Sequence, residues 1–101
     1  MDTKNLTEHL AGLLTEFREE ERRVNYLRRE LRQEVDDFRE RRESIPDELW
    51  ERQKDLWKAE GTLKEMWEEV RRAETTLHTS FNKEGISPEE ASRRLRLAHI
   101  A

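Results

Sequence analysis

The sequence predicts an all-α protein: a long antiparallel helical hairpin of coiled-coil type, followed by a short C-terminal helix. Three observations carry that prediction. Of the 101 residues, 44% are charged and 33% hydrophobic, and Ala, Glu, Lys, Leu and Arg make up more than half of the chain. That mixture belongs to long or coiled helices. Two unbroken heptad series follow one another, Leu10, Phe17, Val24, Leu31, Phe38, Ile45 and then Leu49, Leu56, Leu63, Val70, Leu77. Their repeat matches a helical stripe and not the alternation of a strand. Finally, the two series are out of phase, because Leu49 falls four residues after Ile45 and a proline lies between them.

The first helix is expected over residues 5–43, opened by a capping box of Asn5 and Glu8. At about 1.5 Å per residue it would be roughly 57 Å long. Leu14 and Val35 widen its stripe on one side, while Glu20, Glu34 and Arg41 occupy core-edge positions. Ser44-Ile45-Pro46-Asp47 reads as the next start signal. It supplies a capping hydroxyl, a proline suited to a first turn, and acids Asp47 and Glu48 against the positive end of the dipole. The second helix is expected over residues 46–83, with Trp67 and Phe81 near its seam.

Gly85 is placed as the glycine just past a helix end. Ile86-Ser87-Pro88-Glu89-Glu90 is the strongest local signal in the chain. Ser87 caps, Pro88 takes the first turn, Glu90 completes the capping box, and Ile86 staples onto Ala91. A short helix to about residue 99 would present Ala91, Leu95 and Ala98 on one face. The organisation is thus a hairpin over residues 1–84 and a capped helix within residues 85–101.

Folding the long helices back about Ile45 gives a register that can be tested. Leu10 then faces Phe81, Val24 faces Trp67, and Phe17 faces the small Ala73. Glu20, Glu34 and Arg41 face Arg71, Lys58 and Glu51. Two like-charged pairs spoil the pattern, Arg28 with Lys64 and Arg39 with Arg52. A two-helix hairpin has little core, and a terminal helix of about 12 residues covers only about 18 Å of it. Self-association into a twofold four-helix bundle is the expected remedy. Trp50, Trp57, Leu14, Val35 and Leu95 are the residues expected to want cover, in a homodimer or against another protein.

Several function classes fall away. No stretch is apolar enough for a membrane span, and the N-terminus shows no basic segment followed by an apolar one, so a cytoplasmic protein is expected. The absence of cysteine excludes disulfides and thiolate chemistry. With a net charge of −4 there is no general attraction to nucleic acid. The doublets Arg22-Arg23 and Arg28-Arg29 still mark a possible RNA- or DNA-binding face, the alternative to a protein partner, although acids interleave with them throughout.

Glu74 and His78 share a helix face four residues apart, as a helix-stabilising contact would. Glu34/Asp37 and Glu65/Glu68 have a spacing that would suit a magnesium-dependent nucleotide hydrolase, but acids three apart are unavoidable at this density. Histidines 9, 78 and 99 lack a serine or cysteine arrangement for nucleophilic catalysis. No glycine-rich phosphate loop exists. The expectation is a non-enzymatic interaction or assembly protein without cofactor or metal.

Overall fold

Periodic apolar residues on a charged background yield three helices in the computed structural model, which describes residues 2–98 and 100. They are α1 (Thr3–Glu40), α2 (Asp47–Lys83) and α3 (Pro88–Leu97), with no strand among the described residues. None of these helices is both long and apolar enough to cross a membrane.

The ends show which sequence signals act. Helix α1 begins two residues before the expected Asn5–Glu8 box, because Asp2 Oδ1 accepts the Asn5 N–H at 2.8 Å and is the cap. Thr3 can then bury its side chain, where its hydroxyl lies 3.1 Å from Ser80 Oγ and donates to the Glu84 carboxylate. At the other end α1 stops three residues early. Glu43 N–H donates to Phe38 O at 3.0 Å and Arg42 N–H to Arg39 O at 3.1 Å, with Arg42 at φ 58°. That is a Schellman stop with an arginine in the position that glycine usually fills. Helix α2 starts just after Pro46, and Leu49 N–H donates to Pro46 O at 3.0 Å. Ser44 makes no capping hydrogen bond among the described residues.

The C-terminal signals act as expected except that Glu90 does not complete the capping box, since Arg93 and Arg94 hold its carboxylate. Gly85, at φ 70°, donates to Asn82 O at 3.2 Å, and Ile86 N–H reaches Phe81 O at 3.0 Å. Ile86 and Phe81 also pack in one apolar cluster, the hydrophobic contact that accompanies this stop. Ser87 accepts the Glu90 N–H at 3.2 Å, and Pro88 sits in the first turn of α3. Helix α3 ends at Leu97, two residues short of the expectation, and His99 lies outside the described residues.

Packing divides the chain into two units. The first combines Met1–Arg18 with Glu65–Ala101 and has three helical layers. Its buried core is Leu6 and Leu10 of α1, Val70, Leu77 and Phe81 of α2, and Ala91 of α3. Leu14 and Leu95, both expected to want cover, pack on this core. Phe17 meets Trp67 with ring centroids 5.1 Å apart. The second unit, Glu19–Lys64, is a hairpin of two helices only, closed by the turn between α1 and α2. Val24 and Leu31 of α1 and Leu49 and Leu56 of α2 are its buried seam, with Val35, Phe38, Ile45 and Leu63 beside them.

The antiparallel pairing is as expected, but its register is not. Phe17 faces Trp67 rather than Ala73, Arg28 pairs with Glu60 at 3.2 Å rather than facing Lys64, and Arg52 pairs with Glu34 rather than facing Arg39. The partners are displaced by about four to six residues, between one and two helical turns, from the register centred on Ile45. The cause is the early stop of α1, which moves the pivot of the hairpin away from the proline and towards Arg42. Both like-charge clashes disappear with that shift.

Candidate interaction surface

The two units differ in having or lacking a third helix, although in the three-helix unit too Leu6 lines a groove of about 440 Å³ with Thr75, Thr76 and Thr79 that α3 does not reach. In the three-helix unit, Ala91 and Leu95 of α3 lie on the seam of α1 and α2. The hairpin unit has no third helix. Leu31 and Leu56 line a groove of about 320 Å³ on one side of it and another of about 260 Å³ on the other. A pair of side chains that reaches both sides is a core one residue thick.

The larger groove has an apolar floor of Leu31, Val35 and Leu56, with Arg28, Arg32 and Arg39 on the α1 side and Gln53 and Glu60 on the α2 side. Arg28 is held by Asn25 Oδ1 at 2.8 Å and by Glu60. Arg32 and Arg39 are exposed and make no ion pair among the described residues. The smaller groove is bounded by Arg23, Arg52 and Asp55.

Trp50 and Trp57 are 52% and 60% exposed and belong to neither apolar cluster. Helix α3 packs on the core of the first unit. Helical spacing puts the two tryptophans beside the larger groove, because Trp57 neighbours Gln53 and Glu60, four and three residues away, and Trp50 neighbours Gln53. No family model, curated protein or solved structure matches the chain.

Among the other expected site residues, Val35 lies half-buried in the groove, whereas Leu14 and Leu95 are satisfied inside the three-helix unit. The arginine doublets are divided. Arg23 is bound to Glu20, which lowers that carboxyl below its ordinary range and raises the guanidinium, while Arg22 and Arg29 are simply exposed. Tyr26, unremarked in the sequence, is 55% exposed and donates to Glu30 at 2.6 Å, which raises the phenol pKa. Arg32 and Arg39 were also missed. Their spacing from Arg28 and Val35, in steps of three and four, was the signal available; adjacency in doublets hid it.

The acids show no gathered site. Glu34 is engaged by Arg52 and Asp37 by Gln33, and no group of three or more metal-ligating residues occurs among the described residues. Glu74 and His78 make the expected helix-face contact at 3.8 Å, and the His78 ring lies edge-on to Phe81 at 6.4 Å.

Proposed function

We propose that this chain is a non-enzymatic, cytoplasmic assembly protein of adaptor, scaffold, chaperone or inhibitor type. It works by presenting the incompletely covered hairpin Glu19–Lys64 to a protein partner, with a homodimeric four-helix bundle as the basic form. One contrast supports this reading above the others. The same two helices are covered by α3 in one unit and left with a core one side chain thick in the other. Burying apolar surface stabilises by about 25 cal/mol per Å², so two half-exposed tryptophans beside a seam one side chain thick favour association. The arginine doublets lend less to a nucleic-acid reading, since Arg23 and Arg28 are already committed to acids of the same hairpin.

The experiment is recovery of the native complex from cells together with its mass, for the wild type and for Trp50→Ala/Trp57→Ala. The variant should keep its helicity and lose the dimer or the captured protein, by tenfold or more in affinity, as loss of interface hot spots does. Retention of both would remove these tryptophans from the surface. Co-purification of RNA or DNA in place of protein would overturn the proposal.

A further inference from the structure

We infer that the larger groove of the hairpin unit is closed by the same groove of a second copy. The twofold axis runs along the helices, and Arg32 and Arg39 of each copy stack on Trp57 and Trp50 of the other. The inference rests on the assembly reading above and adds the occupant, the symmetry and the contacts.

The two rims of the groove differ in chemistry and agree in spacing. On the α1 rim, Arg32 and Arg39 are seven residues apart, exposed and without an ion pair among the described residues. Beside the α2 rim of Gln53 and Glu60, Trp50 and Trp57 are seven residues apart and more than half exposed. The Arg28–Glu60 pair at 3.2 Å, with Arg52–Glu34 within a turn of the same register, sets the relative height of the helices to about a turn. From it, one turn along α1 reaches Arg32 and one turn back along α2 reaches Trp57. Two further turns bring Arg39 level with Trp50. Because they lie on opposite rims, these partners cannot stack within one copy.

Symmetry then selects the arrangement. A twofold axis parallel to the helices lays α1 of one copy on α2 of the other while conserving height. Each free guanidinium meets an indole face, and the α1 arginines meet the row that carries Glu60. An axis across the helices would instead set arginine rim on arginine rim and tryptophan rim on tryptophan rim. Asp36, between Arg32 and Arg39, is the one acid on the α1 side and softens that repulsion only in part.

The apolar floors of the two grooves meet at the centre, giving the buried layer that either hairpin alone lacks. The groove itself is about 17 Å long, and the whole face of the hairpin Glu19–Lys64, about 30 Å long and two helices wide, offers roughly 600 Å² per copy. The total of roughly 1,200 Å² clears the area of about 1,000 Å² that a specific interface needs. A foreign helix would need no matched heptad spacing on opposite rims of one groove, whereas a second copy does.

The chain contains no cysteine, which makes a direct test clean. Arg32→Cys/Trp57→Cys keeps the Arg39–Trp50 contacts and should oxidise to a disulfide-linked dimer, while either single variant should not. In sedimentation, Arg32→Ala and Trp57→Ala should each weaken the dimer about tenfold or more, and the double variant less than the product of the two, as for paired contacts. A dimeric wild type whose double-cysteine variant fails to cross-link and whose alanine variants dimerise as tightly overturns the inference and leaves the assembly reading standing. A wild type that stays monomeric up to about 100 µM, far above a micromolar dissociation constant, also overturns it. The assembly reading is then decided separately by whether a foreign protein travels with the chain.

Discussion

Arg42 occupies the left-handed conformation at the stop of α1, and replacing it with glycine should stabilise the protein. A side chain with a Cβ pays about 1–2 kcal/mol there through the clash with the following carbonyl. Glycine escapes that cost but returns about 0.4–1 kcal/mol through its freer unfolded chain. The balance for Arg42→Gly is a gain of about 0.5–1 kcal/mol. Little else is lost with the side chain. The cation over the Phe38 ring, at 4.7 Å, and the ion pair with Glu43, at 3.5 Å, both belong to Arg41.

Gly85 supplies the matched control. It holds the same position in the same kind of stop, at φ 70° against 58° for Arg42, and nothing lies within 4 Å of where its Cβ would be. Gly85→Ala should therefore cost about 1 kcal/mol from conformation alone. Arg42→Ala, which keeps the strain and removes the charge, should change little. Urea unfolding at fixed protein concentration reads all three midpoints. For a domain of this size Arg42→Gly should raise the melting temperature by roughly 3–6 °C. A midpoint for Arg42→Gly at or below the wild type, with Gly85→Ala also destabilising, would refute the argument that residue 42 is strained.

Leu77 is 0% exposed in the three-helix unit and Leu97 is 69% exposed on α3, so Leu77→Ala should cost about 2–5 kcal/mol and Leu97→Ala less than about 0.5 by chemical denaturation. Equal losses would contradict the described core. Glu90 accepts hydrogen bonds from Arg93 and Arg94, which lower its pKa to about 2. A carboxyl with a depressed folded pKa contributes stability that is present above the unfolded value near 4.3 and is lost as pH falls through the folded one. The α3 amides should accordingly lose hydrogen-exchange protection as pH drops from about 4 towards 2, with Glu90→Gln flattening that dependence. An unchanged profile in the variant would place the effect on other carboxylates.

Legibility followed the range of each interaction. Helix identity and the α3 cap were readable because heptad spacing, Gly85 and Ser87-Pro88 act within one or two turns of themselves. The stop at Glu40 was not, since Arg42 in a left-handed conformation violates the usual residue preference and Ser44–Pro46 looked the better boundary. Stopping α1 three residues early goes with a register displaced by more than a turn, and with it the partners of Arg28, Arg52 and Phe17. Trp50 and Trp57 were readable as surface candidates from their offset against Leu49 and Leu56. Arg32 and Arg39 were not, because they join that surface only when the second helix is set at the right height beside the first.

By itself, the sequence determined three helices, an antiparallel turn, two apolar seams and a shortage of core, all consequences of spacing along one chain. The tertiary structure alone decided where that shortage falls. Helix α3 is ten residues long and packs on the core of Leu10, Leu77 and Phe81, whereas the Leu31–Leu56 seam of the second unit, though itself buried, has no third helix and a groove on each side. Which seam a short helix covers depends on where the long helices place its first residue in space, and spacing along the chain carries no record of that.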